Sequence, residues 1–297
     1  MLDTFMAETI DTENTRIFIR RAGAGAPLLL LHGFPQTHVM WHQVAPSLAR
    51  NFTVICADLR GYGNSGKPAS PADHLPYSKR AMALDMIDLM RALGFPQFAV
   101  VGHDRGGRVA YRMALDHPRA VLRVAVFDVI PTLEVIRRTD VGSALTFWPW
   151  SLLSQPAPLP EKLISAHPEA VIDDALANWG SEPSSFSTEA RAAYVDALRD
   201  PETVHAICEE YRAALTCDLA MDEADQTAGR KIAAPLLALW SHGGGLDTWY
   251  RSAGGPIELW KNWALDVRGR AIHGGHFFPE QNPAETISEL EAFLCSG

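Results

Sequence analysis

Three observations predict an α/β fold: a mostly parallel sheet flanked by helices, with a helical cap inserted into it. Short β-rich runs alternate with helical periodicity through the first third of the chain. That alternation breaks after Ile130-Pro131 and returns near Pro235, and the stretch between offers amphipathic helical pieces with no convincing strand. Strand, helix, strand repetition implies parallel strands covered on both faces. The expected division is a core of residues 1–131 and 230–297 and a cap of residues 132–229.

The elements follow in order. Arg16–Arg21, Leu28–His32 and Thr53–Ala57 are rich in apolar and β-branched residues and read as strands. Lys79–Leu93 carries apolar residues at helical spacing and stops at Gly94, a C-terminal glycine. Phe98–Gly102 reads as a buried strand, Arg105–Leu115 as a helix and Arg123–Asp128 as the next strand. Within the cap, Trp148-Pro-Trp150 and Gln155-Pro-Ala-Pro-Leu-Pro160 punctuate the helical pieces. Strands at Pro235–Trp240 and Arg270–His273 and a helix from Ala284 to Leu294 complete the core.

Composition narrows the class. The 297 residues are 47% hydrophobic and 21% charged, as expected of a soluble globular protein. No run approaches the roughly 18 apolar residues of a membrane span, and residues 1–15 are acidic rather than signal-like. A cytoplasmic protein is expected. The four cysteines lack metal spacing and read as free thiols. A net charge of −9 disfavours a nucleic-acid partner, but Arg105 and Arg108 make a local exception that suits a small anionic substrate. With no metal cluster or dinucleotide fingerprint, no cofactor is expected.

Gly102-His-Asp-Arg-Gly-Gly107 is the most informative stretch. Small residues two positions either side of Asp104 permit a tight strand-to-helix turn that presents a nucleophile. A carboxylate is already ionised at neutral pH. It can displace a leaving group from a saturated carbon, and water can then hydrolyse the resulting ester. Serine there would leave an ether, which goes no further. Aspartate attacking a carboxylic ester would give an anhydride, which argues against an ordinary esterase. The competing reading is a helix-capping aspartate.

Ester hydrolysis needs a base, and His276 in Gly274-Gly-His-Phe-Phe-Pro279 follows the last predicted strand. His273 is its rival. Either Asp128, at the end of a strand, or Asp247, in a glycine-rich loop, can orient the histidine, and Asp128 is favoured because it leads directly into the cap junction. The backbone amides of Phe34 and Arg105 are the expected oxyanion donors. Arg105 and Arg108, one helical turn apart, form an expected carboxylate clamp. Trp148, Trp150 and Tyr211 are cap residues able to donate to a departing halide.

These residues resemble fluoroacetate dehalogenases, the haloacetate dehalogenases of the α/β-hydrolase superfamily. The likeness runs through His32-Gly-Phe-Pro-Gln36, Asp58-Leu-Arg-Gly-Tyr-Gly63, Gly102-His-Asp-Arg-Gly-Gly-Arg108, Asp128-Val-Ile-Pro-Thr132, Gln155-Pro-Ala-Pro-Leu-Pro-Glu161, Cys208-Glu-Glu-Tyr-Arg-Ala213 and Gly275-His-Phe-Phe-Pro279. It implies Asp104 as nucleophile, His276 as base, Asp128 as its orienter, Arg105 and Arg108 on the substrate carboxylate, Trp150 and Tyr211 in the halide site, and a homodimer. The family's halide site usually reads His-Trp where this chain has Pro149-Trp150, so chloroacetate and bromoacetate are the expected substrates, with fluoroacetate weak. An epoxide hydrolase using the same aspartate, histidine and acid is the nearest alternative, with Tyr194 and Tyr211 to protonate the epoxide oxygen. A non-catalytic binding protein on the same fold is the other.

Overall fold

The computed structural model describes residues 1–295, built around one eight-stranded sheet in the order β1-β2-β4-β3-β5-β6-β7-β8. The strands are β1 (Met6–Asp11), β2 (Arg16–Ala22), β3 (Ala26–Leu31), β4 (Phe52–Ala57), β5 (Phe98–His103), β6 (Val121–Phe127), β7 (Leu236–Ser241) and β8 (Val267–Ile272). From β4 across to β8 the pairs are parallel, while β1–β2 and β2–β4 are antiparallel. The central strands β3 and β5 read as near-continuous apolar runs because helices cover the sheet, and Leu28–Leu31 are fully buried.

The predicted elements fall within a few residues of those observed. Among the strands the exception is β1, where the sequence predicts no element. It is an edge strand with the exposure pattern of a solvated ribbon, so its apolar content is too low to announce it. The helix α1 (Lys79–Ala92) starts where the Ser78 hydroxyl accepts from the Ala81 amide at 3.2 Å. It ends ahead of Gly94, which takes the left-handed φ of +85° that a helix C-terminus favours.

The chain between β6 and β7 is helical, from Thr132–Arg138 to Cys217–Thr227. Its last helix is fastened to α2 (Arg105–Asp116) through buried charge. Arg112 bonds Asp222 at 2.5 Å and also pairs with Asp225, and the Tyr111 hydroxyl donates to Asp222 at 2.9 Å. Among the described residues no helix is long and apolar enough to cross a membrane.

Removing one side of a buried ion pair leaves the other charge stranded, at a cost of about 3–5 kcal/mol. Arg112→Ala is therefore expected to lower unfolding free energy by about that amount in urea titrations. A change below about 1 kcal/mol, the size of a surface pair, would show that the Asp222 cluster does not fasten the insertion.

Candidate active site

Functional groups collect where β3, β5, β6 and β8 run out, the edge at which open α/β sheets place their sites. Asp104 follows β5 with φ +47° and ψ −115°, a conformation rare for a residue with a side chain. Two glycines permit that turn. A Cβ on Gly102 would lie 2.2 Å from the Gly106 carbonyl oxygen, and one on Gly106 would lie 2.4 Å from that of His32. Strand, helix and the loop after β3 can meet only because those side chains are absent. Asp104 makes no capping bond to its helix; it lines a cavity of about 150 Å³ instead.

The Phe34 amide donates to Asp104 Oδ1 at 2.8 Å. The Arg105 amide stands in the first turn of α2, where no intrahelical acceptor exists. Gly33 brings the loop that close: a Cβ there would sit 2.5 Å from Asp104 Oδ1 and 2.7 Å from the Arg105 nitrogen. Of the two expected donors, the Phe34 amide bonds the carboxylate, and the Arg105 nitrogen borders the same space beside Gly33.

Across the carboxylate stands His276. Its Nδ1 meets Asp128 Oδ2 at 2.6 Å, and an ionised carboxylate can only accept, so Nδ1 carries the proton. Nε2 is then the basic nitrogen. It lies 4.0 Å from Asp104 Oδ2, buried and without a hydrogen-bond partner among the described residues. Asp128 is held in turn, its Oδ1 accepting from the Ser241 amide at 3.0 Å. Asp247 is elsewhere, accepting from Trp240 Nε1 at 3.0 Å and from the Gly243 amide at 2.9 Å. His273 is exposed beside Glu285.

Burial alone would lower the His276 pKa, but its hydrogen bond to Asp128 and the charges of Asp128 and Asp104 outweigh it, and the pKa is raised. The adjacent His103 has no such partner. Burial and the neighbouring His276 push it down to about 4, so it is a neutral packing group that bonds the His276 carbonyl at 2.8 Å.

The two arginines separate. Arg108 lines the cavity, bonding the Ile130 carbonyl at 3.0 Å and Thr132 Oγ1 at 3.1 Å, with its buried Nε unpartnered among the described residues. Arg105 is fully buried behind it and does not line the cavity, which departs from the expectation of an equal clamp. Its Nε bonds Glu210 Oε1 at 2.7 Å, and its Nη1 is left without a partner among the described residues. Glu210 also meets Lys79 Nζ at 2.7 Å and the Tyr62 hydroxyl at 2.5 Å. Burial would raise its pKa, yet Arg105 and Lys79 hold it down at about 2. Both guanidiniums lie over the Trp150 ring, at 4.9 and 4.8 Å, and Arg105 lies 4.1 Å over Tyr211.

Trp150 and Tyr211 meet edge to face at 5.7 Å and both line the cavity. Neither Trp150 Nε1 nor the Tyr211 hydroxyl has a hydrogen-bond partner among the described residues. Trp148 points its indole donor to Asp174 at 3.0 Å, and Pro149 lines the cavity in its place. Tyr194 does not reach the cavity; its hydroxyl donates to Glu280 Oε2 at 3.0 Å. Two neighbours had no signal in the sequence. Trp179 accepts from the His276 amide at 2.9 Å and meets its ring at 5.4 Å, and Ser241 steadies Asp128.

A family model described as alpha/beta hydrolase fold matches residues 26–283. Among curated proteins, a fluoroacetate dehalogenase from Burkholderia sp is 42% identical over 99% of this chain and 95% of its own. A soluble epoxide hydrolase from Corynebacterium sp. (strain C12) is 34% identical over 92% of each. Among solved structures, an α/β-hydrolase candidate from Nostoc sp PCC 7120 aligns with TM-score 0.95 and 47% identity over the whole of both chains. The epoxide hydrolase CorEH aligns with TM-score 0.85 and 30% identity over 98% of each.

The histidine environment predicts a titration. By NMR, His276 is expected to titrate above 6.5, its ordinary value, and Asp128→Asn to bring the midpoint down. A midpoint unmoved by Asp128→Asn would detach Asp128 from the histidine. An Asp247→Asn variant is expected to leave it in place.

Proposed function

The chain belongs to the α/β-hydrolase family, and from that premise we propose that it hydrolyses the carbon–halogen bond of small 2-haloacids, chloroacetate and bromoacetate foremost. Support comes first from the carboxylate at the nucleophile turn, flanked by two unpartnered halide donors and a cavity-lining arginine. The full-length likeness to a fluoroacetate dehalogenase adds to it.

Arg108 holds the substrate carboxylate, and Arg105 adds its field and one unpartnered Nη1. Asp104 Oδ2 attacks C2 in line with the halogen. The C–O bond forms as the C–X bond breaks, and the halide departs with the electron pair toward Trp150 Nε1 and the Tyr211 hydroxyl. Oδ1, already bonded to the Phe34 amide, becomes the ester carbonyl oxygen.

The cap then excludes bulk water from an ester that one water must hydrolyse. His276 Nε2 takes a proton from that water as its oxygen adds to the Asp104 carbonyl carbon. The oxyanion rests on the Phe34 and Arg105 amides. Collapse breaks the bond to the substrate oxygen, which takes the proton from His276, and the carboxyl left on Asp104 ionises. Chloroacetate and water thus give glycolate, chloride and one proton.

Pro149 sets the preference among halides. Proline offers no side-chain donor and no N–H, and Trp148 is committed to Asp174. Fluoride depends on such donors more than chloride does, and one lost donor costs about 3 kcal/mol, or roughly 10²–10³ in rate.

Epoxide hydrolysis is the second reading, supported by the epoxide-hydrolase relatives. Two cap hydroxyls on the epoxide oxygen would be needed for it, and Tyr194 is engaged with Glu280.

The test is halide release from chloro-, bromo- and fluoroacetate, run beside diol formation from styrene oxide. Chloroacetate is expected to turn over at least about a hundredfold faster than fluoroacetate. Asp104→Asn is expected to abolish turnover, and Arg108→Ala to cost at least about tenfold in kcat/KM. Equal rates on the fluoride and chloride substrates would overturn the role given to Pro149. Styrene oxide turnover without halide release would overturn the dehalogenase reading.

A further inference from the structure

Gln36 has no part in the chemistry above, although it lies two residues beyond the Phe34 amide. Its side-chain amide bonds Glu280 Oε2, and the Tyr194 hydroxyl donates to the same oxygen at 3.0 Å. Gln36 Nε2 and the Tyr194 hydroxyl are also 3.3 Å apart. The three come from different parts of the fold. Gln36 lies in the loop after β3, Tyr194 on the inserted helix Thr188–Leu198, and Glu280 on the short helix Phe278–Gln281 that follows His276. Gln36 and Tyr194 are 0% exposed and Glu280 is 2% exposed.

The cluster lacks a cation. Among the described residues no arginine or lysine pairs with Glu280. The nearest basic group, His42 Nδ1 on the adjoining turn His38–Gln43, is 3.7 Å from Oε1 and bonds the Val39 carbonyl at 3.0 Å. Burial lowers the His42 pKa, which leaves it neutral, and the further charges around it are Glu189 and the N-terminal amine. Two acceptors in the cluster, Gln36 Oε1 and Glu280 Oε1, are buried without a partner among the described residues. A carboxyl proton gives the first of these a partner. With the Gln36 amide turned over, which coordinates alone do not distinguish, protonated Glu280 donates to the otherwise unpartnered Gln36 oxygen and still accepts from Tyr194.

We propose that Glu280 is a positioning residue which, in its protonated form, ties the oxyanion loop, the histidine loop and the cap into one unit and loosens them when it ionises. The proposal rests on the roles given above to the Phe34 amide and His276. Burial in a site without a cation pushes the Glu280 carboxyl up to about 8. At neutral pH the junction is therefore uncharged and closed. Above that range a carboxylate must sit there with only two neutral donors, Tyr194 and Gln36, and the cheapest relief is to open toward water. The loop carrying the Phe34 amide and the cap helix are the elements that would move apart.

The test compares the full chain and its Glu280→Gln variant, which keeps the shape and cannot ionise, at pH 6.5 and pH 9. One readout is chloride release from chloroacetate; the other is backbone hydrogen exchange over residues 33–38. A group titrating near 8 is about ten to one ionised at pH 9. The pH 9 to pH 6.5 ratio of kcat is therefore expected to be about tenfold higher in Glu280→Gln than in the wild type. Residues 33–38 are expected to exchange faster in the wild type than in the variant at pH 9, and equally at pH 6.5. Tyr194→Phe, which removes a donor to the charged form, is expected to shift the alkaline fall in kcat to higher pH, and it stands in if Glu280→Gln does not fold. Equal kcat ratios and equal exchange in wild type and variant would overturn the proposal. If no chloride is released by either protein, the dehalogenase reading fails, and the exchange comparison alone decides the role of Glu280.

Discussion

The strained turn at Asp104 is the constraint on which the site depends. With φ at +47°, the side chain is thrown clear of its own helix and out over the carboxyl edge of the sheet. A backbone placed that way needs neighbours that hold it. The glycines at 102 and 106 let β5, α2 and the loop after β3 close to backbone contact, and Gly33 lets the Phe34 amide reach Oδ1. Move the turn by an ångström and the amide, the carboxylate and His276 no longer share one small volume.

Charge is arranged around that turn with a division of labour. Arg105 is matched in the interior by Glu210, which also draws in Lys79 and Tyr62, so a buried ion cluster beside Asp104 links core to insertion. Arg108 has no carboxylate partner of its own among the described residues; it bonds only a carbonyl and a hydroxyl and faces the cavity. A buried guanidinium paired only with neutral groups is costly until an anion arrives. The pKa of Arg108 is lowered by burial and by Arg105, the direction expected of a buried cation without a counter-ion. Asp128 does the corresponding work on the other side of the cavity, holding His276 by Nδ1 so that Nε2 faces Asp104.

Much of this was legible in the sequence, and the reason is local. Strand, small-residue turn and helix around Asp104 are neighbours in the chain, so composition alone carries the geometry. The sequence favours Asp128 over Asp247 because Val129-Ile-Pro131 carries it straight into the cap junction, and Asp128 Oδ2 lies 2.6 Å from His276 Nδ1. The parts that could not be read depend on contacts across long stretches of chain. Arg105 and Arg108 look equivalent at a spacing of three, yet Glu210, more than a hundred residues on, claims one of them. Tyr194 and Tyr211 look like interchangeable cap hydroxyls, until Glu280 engages the first and leaves the second facing the cavity. Strand β1 escaped for the opposite reason: it is a solvated edge that buries too little to leave a pattern.

In the proposed chemistry the Asp104 carboxyl bonds covalently to the substrate carbon and gives up one of its own oxygens in doing so. The most direct measurement is a single turnover of chloroacetate in heavy-oxygen water with enzyme in excess, followed by mass analysis of the glycolate and of the peptide containing Asp104. Unlabelled glycolate and one heavy oxygen in the Asp104 side chain are expected. Labelled glycolate with an unlabelled peptide would mean that water attacks the substrate directly, and would contradict that chemistry.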